Sequence, residues 1–320
     1  MTGRNDADWR PGASIERLRK RGELLRQVRG FFDNRGVLEV ETPLLSEAAS
    51  TDPMLETAQV QLDGRTAPLY LHTSPEFFMK RLLAAGSGPI WQICRVVRGN
   101  ERGQRHNPEF TMLEWYRPGW DHQRLITEVT DLIQALCGAR PIERFSYAQL
   151  FAPFGIDPHR SDTATVGQHA ENIAGAPMPG LDRNALLDLI LGQEITPTLG
   201  RDCIAVVDNF PATQAALARI RPGDPPLAER FEVFVDGMEL ANGFHELGDA
   251  DEQRRRFAAD QQLRREKGQT VRPVDERFLA ALDHGLPDCA GVALGLDRLL
   301  MVALGAETID EVMAFPIERA

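Results

Sequence analysis

Two strand-like segments joined by a short polar loop constrain the fold more than any other feature of the sequence. The segments run from Ile90 to Arg98 and from Glu109 to Arg117, and the loop from Gly99 to Arg105 holds no large apolar residue. This pattern predicts a long antiparallel β-hairpin. A hairpin is marginally stable by itself, so further strands or helices must cover it.

The rest of the sequence predicts both strands and helices. Segments 231–235 and 238–241 flank Asp236-Gly237 and predict a second hairpin, because Asp-Gly favours a two-residue turn. Shorter strands are predicted at 37–42, 70–72, 203–208 and 291–295. Helices are predicted at about 14–34, from Pro75 onward with Ser74 as N-cap, from Asp121 onward, at about 251–267 and from about Asp297 onward. Hairpins interleaved with helices favour an α+β fold, a mainly antiparallel sheet flanked by helices.

No internal repeat divides the chain, so residues 1–320 are interpreted as a single domain. Residues 155–198 form its least regular part and are interpreted as a possible insertion or cover.

The net charge limits the possible partners. The sequence has 36 Lys and Arg against 47 Asp and Glu, a net charge of −11. Extended nucleic-acid binding needs a basic face, since phosphate contacts supply most of the affinity. The basic cluster Arg17, Arg19, Lys20 and Arg21 is interpreted as the solvated face of a helix.

The sequence also bears on location. It has no run of about 18 apolar residues and no apolar signal core at its start, so we expect a cytoplasmic protein without membrane contact. The cysteines lie far apart and predict free thiols: Cys94, Cys137, Cys203 and Cys289.

The first hairpin carries groups that suit a nucleotide. Its loop region contains Arg98, Arg102, Arg105 and His106, which favours either a polyphosphate site or a solvated charged loop. Side chains of one parity on its second strand share a face, and they are Phe110, Met112, Glu114 and Tyr116. That face is typical either of a pocket for a base and a cationic ligand or of a half-buried strand.

Two weaker patterns lie further along the chain. Glu232 and Glu239 lie on opposite arms of the second hairpin, where paired carboxylates hold Mg²⁺ or are ordinary exposed acids. Gly291, Ala293 and Gly295 leave one strand face nearly bare, which permits the close approach of a ligand or of another backbone.

Taken together, these segments resemble the three motifs of the class II aminoacyl-tRNA synthetases. The helix, strand and Pro43 of the early segment resemble motif 1, the dimer-interface motif. Arg95 to Phe110 resembles motif 2, and Gly291 to Arg298 resembles motif 3. Arg105 to Tyr116 and Glu239 to Leu247 are similar to lysyl-tRNA synthetases in particular.

The resemblance implies a homodimeric class II catalytic domain that uses ATP and Mg²⁺ to activate a lysine-like amino acid. It implies that Arg98 and Arg298 are catalytic and that Glu232 and Glu239 hold Mg²⁺. The implied ATP-binding residues are Arg98, Asn100, His106, Asn107, Phe110, Glu239, Leu240, Gly295 and Arg298. The implied substrate-binding residues are Ser74, Pro75, Glu76, Glu114, Tyr116, Asn242, Glu246 and Ala293.

The chain departs from the lysyl-tRNA synthetase pattern in two places. Motif 2 usually reads Arg-x-Glu, whereas Asn100 stands in place of the glutamate. Only about a dozen residues precede the first helix, which leaves no room for an anticodon-binding OB domain. The short form, with Trp115–Gly119, Ser74 and Ala293, resembles the paralogous family that ligates (R)-β-lysine to a lysine of translation elongation factor P.

Two other functions remain as alternatives, a truncated lysyl-tRNA synthetase and a non-catalytic lysine-sensing paralogue. The expected absence of an OB domain and the net acidity oppose the first, and make tRNA an unlikely partner. Intact phosphate and metal ligands oppose the second. The expected function is activation of (R)-β-lysine or lysine as an adenylate, followed by amide formation on elongation factor P.

Overall fold

A computed structural model describes residues 9–320. Its helices are α1 Ile15–Asp33, α2 Glu76–Ala84, α3 His122–Cys137, α4 Tyr147–Phe151, α5 Thr163–Ala174, α6 Arg183–Ile190, α7 Ala250–Glu266, α8 Glu276–Gly285 and α9 Leu296–Leu304. Its strands are β1 Leu38–Glu39, β2 Leu45–Ser46, β3 Gln59–Val60, β4 Leu69–Leu71, β5 Ile90–Val97, β6 Glu109–Pro118, β7 Ile142–Ser146, β8 Ile204–Pro211, β9 Ile220–Arg221, β10 Leu227–Val235, β11 Met238–His245 and β12 Cys289–Gly295.

These elements belong to two compact units, each built from separate segments. The first unit comprises the residues up to Pro118, Gly248–Asp288 and Ala293–Ala320, and the second comprises Gly119–Leu247 and Cys289–Val292. Both units combine largely antiparallel strands with helices, which confirms the predicted α+β class. The interpretation of residues 1–320 as one domain stays a prediction.

The first unit contains the predicted long hairpin. Strands β5 and β6 pair in register from Ile90 opposite Tyr116 to Val97 opposite Glu109, and β1 runs parallel to β5. The Phe32 ring at the end of α1 stacks on Trp91 of β5, with 4.8 Å between ring centroids. Because Phe32 and Trp91 are fully buried, α1 is fixed against the hairpin by apolar burial.

The second unit contains the predicted Asp236-Gly237 hairpin. Both turn residues have positive φ, 52° and 68°, as a two-residue turn between twisted strands requires. In order, β11, β10, β8 and β7 form a sheet, with β9 also pairing with β10. Glu232 on β10 and Glu239 on β11 are therefore carried by hydrogen-bonded neighbouring strands.

Several predicted details were wrong. The strand predicted at 37–42 is only β1, and Pro75 rather than Ser74 occupies the N-cap position of α2. The Ser74 hydroxyl instead accepts a hydrogen bond from the Glu76 N–H at 3.0 Å, closing a tight turn one residue earlier. Helix α8 and strand β7 escaped prediction.

The segment predicted as a possible insertion contributes to a core. Within it, α5 and α6 bury apolar side chains in the same cluster as β8, including Leu186, Leu187 and Ile190. These residues recur at helical spacing, but the short helices and intervening Pro-Gly turns hide the pattern in the sequence.

All four cysteines are free, as predicted, although Cys94 and Cys137 are only half-buried. None of the helices described combines the length and the apolar character needed to cross a bilayer.

A fully buried arginine ties α7 to the loop before β3. Arg264 is 0% exposed and donates hydrogen bonds to the carbonyls of Thr51 at 2.9 Å, Asp52 at 2.6 Å and Leu55 at 2.7 Å. Replacing Arg264 with alanine should cost about 3 kcal/mol of stability, since it leaves buried acceptors unsatisfied. The exposed neighbour Arg265→Ala should cost under about 0.5 kcal/mol. Urea denaturation measures both, and equal shifts of the midpoint would contradict the bracing role.

Candidate active site

The first hairpin brings together Arg98 and Phe110. The Arg98 guanidinium lies 5.3 Å from the centroid of the Phe110 ring. Its Nε donates to the Thr73 carbonyl at 3.3 Å, and Nη1 lies 3.8 Å from the Glu101 carboxylate. Two of the implied ATP-binding residues, Arg98 and Phe110, are therefore neighbours.

Arg102, in the loop of the same hairpin, has different partners from Arg98. Arg102 donates to Asp310 at 3.0 Å and to Glu318 at 2.8 Å, so its charge is already compensated. The pKa of Arg102 is raised by these bonds, Glu318 first. We conclude that the polyphosphate interpretation suits Arg98 better than Arg102.

The unusual residue Asn100 lies at an exposed turn with φ of 65°. Asparagine tolerates this left-handed conformation better than glutamate does. The backbone of the preceding Gly99 pairs with Glu56, and a Cβ at Gly99 would lie 3.2 Å from the Glu56 side chain. The departure from Arg-x-Glu therefore accompanies a tight loop geometry.

Two more predicted ATP-binding groups lie side by side. Arg298, in the first turn of α9, donates to the Arg105 carbonyl at 3.2 Å and to Nε2 of His106. Asn107, by contrast, is 2% exposed, and its amide donates to the Glu109 carbonyl and accepts from the Ile317 N–H. Asn107 thus shapes the loop, and its predicted contact with the nucleotide stays a prediction.

The predicted amino-acid pocket of the first unit is built from the face of β6 and the start of α2. Buried Glu114 accepts hydrogen bonds from the Ser74 hydroxyl at 2.9 Å and the Tyr116 hydroxyl at 2.6 Å. Nearby Glu76, which follows buried Pro75, accepts from Lys80 at 2.6 Å. Glu114 is therefore held in place by two hydroxyls, while Glu76 already has one ammonium partner.

The strand face predicted to be nearly bare is only partly accessible before α9, since Gly291 is buried. Ala293 is half-buried between the buried Val292 and Leu294, and Gly295 is also half-buried. Just beyond, Asp297 is 1% exposed and accepts from the Thr111 N–H at 2.6 Å and from Arg21 at 2.5 Å. Asp297 fixes the first turn of α9, and with it the position of Arg298, against β6.

In the second unit, a register shift puts the two predicted metal ligands on one face. Glu232 pairs with Asn242, but Phe234 pairs with Glu239, because Leu240 is an extra residue in β11. Paired residues share a face, so Glu232, Glu239 and Asn242 all lie on the same side of the hairpin. Leu240 itself is buried.

The electrostatics of this face fit a cation. Burial raises the pKa of Glu232 to about 7, and the Glu239 charge adds to the rise, while Arg230 opposes it. Arg230 donates to the Glu232 carboxylate at 2.5 Å and to the Gln214 carbonyl at 2.8 Å. A divalent cation beside the two carboxylates would stabilise their charged forms.

The remaining predicted substrate groups are Asn242 on β11 and Glu246, the residue that follows its last position. Asn242 is half-buried, and its Oδ1 atom is buried without a hydrogen bond among residues 9–320. Glu246 is 2% exposed, and its N–H donates to the Cys289 carbonyl at 2.9 Å. Both residues lie on the parity that faces away from Gly243 and His245.

Sequence reasoning missed three residues that contact or position predicted site residues: Lys80 and Asp297 in the first unit and Arg230 in the second. Lys80 lies four residues after Glu76, a spacing that indicates a helical ion pair. Arg230 lies two residues before Glu232 on the same strand face, which is also visible in the sequence. No sequence pattern links Asp297 with Thr111.

Comparison with known proteins places the chain in a family. The model of the class II tRNA synthetases (D, K and N) matches residues 5–319. The chain is 50% identical over 318 residues to an elongation factor P–(R)-β-lysine ligase of Pasteurella multocida, with 98% of both chains covered. It is also 50% identical over 324 residues to the protein of that name in Klebsiella pneumoniae, covering 98% of this chain and 99% of the relative. The chain therefore belongs to the class II tRNA synthetase family and, within it, to the family of the elongation factor P–(R)-β-lysine ligases.

Proposed function

We propose that this protein activates (R)-β-lysine with ATP and transfers it to the ε-amine of a lysine on translation elongation factor P. The observation that carries the proposal is 50% identity, over 98% of the chain, to relatives named for this reaction. The chain's own residues support it, since Arg98 adjoins Phe110 and buried acids suit a cationic substrate.

In the proposed first step, a carboxylate oxygen of the substrate attacks the α-phosphorus of ATP. The bond from that phosphorus to the bridging oxygen breaks, giving an aminoacyl-adenylate and pyrophosphate. Arg98 neutralises charge on the α-phosphate, and His106 with Arg298 binds the outer phosphates. No side-chain nucleophile takes part, so the contribution of the protein is positioning and electrostatic stabilisation.

Glu232 and Glu239 are the residues that would hold Mg²⁺. Bound Mg²⁺ supplies compensation for the negative charge of the phosphates. Within the chain, Arg230 keeps Glu232 oriented, and the register shift at Leu240 keeps Glu239 on the same face.

In the proposed second step, the unprotonated ε-amine of the acceptor lysine attacks the carbonyl carbon of the adenylate. The bond between the carbonyl carbon and the phosphate oxygen breaks, AMP leaves, and the amine loses a proton to solvent. The product is an amide.

The acceptor is tested by incubating the protein with ATP, Mg²⁺ and (R)-β-lysine, together with either elongation factor P or lysine tRNA. We expect intact-mass analysis to show elongation factor P gaining one lysyl group, and acid-gel analysis to show no charged tRNA. With a net charge of −11, the chain is poorly suited to bind the tRNA phosphates. Efficient tRNA charging would support the alternative of a lysyl-tRNA synthetase, and absence of adenylate formation would support a lysine sensor.

The preference for β-lysine is proposed to depend on Ala293. Its methyl group is half-buried at a position where the resemblance to the lysyl-tRNA synthetases implies glycine, and it can exclude an α-amine but not an amine on the β-carbon. Ala293→Gly should improve kcat/KM for L-α-lysine relative to (R)-β-lysine by about 10-fold or more, the value of one methyl group in a pocket. Pyrophosphate exchange with both substrates measures the ratio, and an unchanged ratio would exclude Ala293 as the selectivity element.

We also propose that the protein acts as a homodimer, as the motif 1 resemblance implies. Phe31 and Phe32 are buried within the chain, so they are not the groups that meet a partner. Exposed apolar side chains in this region include Ile15, 58% exposed, Leu38, 56% exposed, and Leu44, 41% exposed, and these are available for a two-fold contact.

A further inference from the structure

A second cluster of metal-ligating side chains lies in the second unit, on the other face of the β10–β11 hairpin. It consists of His122 at the start of α3, Glu229 on β10 and His245 on β11. One ligand atom from each residue, a ring nitrogen or a carboxylate oxygen, lies within 4.8 Å of the others. Two imidazoles and one carboxylate form a donor set typical of Zn²⁺ and related divalent transition metals.

The strand register separates this cluster from the residues proposed to bind Mg²⁺ and substrate. Arg230 pairs with Phe244 and Glu232 pairs with Asn242, so Glu229 and His245 lie on the opposite face from Glu232 and Asn242. Helix α3, which begins at His122, packs against β10 and β11. The cluster is thus enclosed between this helix and the sheet.

The cluster is buried and has an unsatisfied donor atom. His122 is 3% exposed and His245 is 8% exposed. Nδ1 of His122 is buried and makes no hydrogen bond within the part of the chain that the structure describes. Such a buried polar atom is uncommon in folded proteins unless a water molecule or an ion satisfies it.

The geometry needs little adjustment to hold a metal ion. Nδ1 of His245 lies 2.7 Å from the Glu229 carboxylate, and the two histidine rings lie 6.2 Å apart between centroids. Zinc bound at about 2.0–2.2 Å in tetrahedral geometry separates its ligand atoms by about 3.3–3.6 Å. The ligand atoms of the cluster are separated by 2.7 Å for His245 and Glu229 and by at most 4.8 Å overall, so side-chain shifts of about 1 Å bring them into this range.

A neighbouring amide can orient the first histidine. The Gln123 side-chain nitrogen lies 2.9 Å from Nε2 of His122 and 3.2 Å from the Asp208 carboxylate. The Gln123 oxygen accepts a hydrogen bond from Arg144 at 2.7 Å, so this amide must exchange the positions of its oxygen and nitrogen to accept the Nε2 proton when Nδ1 binds a cation. Such outer partners are typical of histidine metal ligands.

We propose that His122, Glu229 and His245 bind one zinc-type divalent cation, distinct from the Mg²⁺ of the reaction. The cation links the start of α3 to both strands of the hairpin. It thereby stabilises, on the opposite face, the two strands that carry Glu232, Glu239 and Asn242.

The test is a Zn²⁺ titration of the full-length, chelator-treated protein in excess Mg²⁺, without ATP or lysine, in competition with a chromophoric chelator. Excess Mg²⁺ occupies the carboxylates of the other face. We expect one equivalent of Zn²⁺ to bind and to raise the melting temperature. His122→Ala and Glu229→Gln should each weaken this binding by at least about 100-fold, since even the outer partners of a ligand are worth 10–100-fold. His284→Ala, an exposed histidine on α8, is the matched control and should bind as the wild type does.

Substitution with Co²⁺ gives a second readout, because three protein ligands and one solvent molecule produce intense visible absorption bands in tetrahedral geometry. Failure to bind Zn²⁺ or Co²⁺ would overturn the proposal, as would equal binding by wild type, His122→Ala and Glu229→Gln. If His122→Ala does not fold, Glu229→Gln alone decides, because it preserves the side-chain volume. These outcomes are independent of ligase activity, so they do not depend on the proposed function.

Discussion

Replacing Arg98 with alanine should lower ATP–pyrophosphate exchange by about 10³-fold. Arg98 is the cation held beside the Phe110 ring, and a guanidinium that stabilises charge on a reacting phosphoryl group is worth about 10³–10⁵ in rate. The loss should be mostly in kcat, since the contact strengthens as charge develops at the α-phosphate. Arg98→Lys should recover little, because lysine lacks the planar pair of donors.

Arg102→Ala is the matched control in the same loop. Its side chain is bound to Asp310 and Glu318 at the surface, where an ion pair contributes at most about 1 kcal/mol. Exchange by this variant should stay within about fivefold of the wild type. If Arg98→Ala and Arg102→Ala behaved alike, the assignment of Arg98 to the α-phosphate would be wrong.

Replacing Glu239 with glutamine should reduce adenylate formation by about 10²–10³-fold, comparable to the loss of one preorganised electrostatic group. The half-buried Glu239 shares its face with Glu232, and Mg²⁺ is usually held by one or two carboxylates together with the substrate phosphates. The Mg²⁺ concentration that gives half-maximal exchange should rise, because one anionic ligand is lost. The fold should survive, since glutamine has nearly the same volume.

Glu143→Gln provides the control for charge alone. Glu143 is an exposed acid on β7 in the same unit, so its removal changes the net charge equally without touching the hairpin. Its Mg²⁺ dependence should match the wild type. An unaltered Mg²⁺ dependence in Glu239→Gln would remove Glu239 from the set of metal ligands.

Local patterns were enough to predict the elements that carry the site. Apolar alternation around a polar loop predicted β5 and β6, and Asp236-Gly237 predicted the second hairpin with its turn. Helices α1 and α3 were predicted from their apolar spacing, and the structure places Ser14 and Asp121 at their N-caps. Such features depend on neighbours in the sequence, and therefore they can be read from it.

Features that depend on distant partners were not predictable. The sequence gives no reason to separate Arg98 from Arg102, because Asp310 and Glu318 lie about two hundred residues away. The burial of Asn107 and Asp297 likewise depends on backbone groups from other segments. The histidine cluster escaped for the same reason, since His122 and His245 come from separate elements of the second unit.

The extra residue Leu240 determines which face of the hairpin each side chain of β11 occupies. Between the Asp236-Gly237 turn and Leu240, the turn sets which face each side chain occupies. Beyond Leu240, the pairing of β11 with β10 is shifted by one residue. If the extra residue were lost, Asn242 would move to the opposite face of the hairpin, although Asn242 itself was unchanged. The Phe231 ring helps to fix this register, because it lies so close to Gly243 that a Cβ at that position would be 2.4 Å from it. Insertions and deletions in β11 should therefore be tolerated as poorly as substitutions of its site residues.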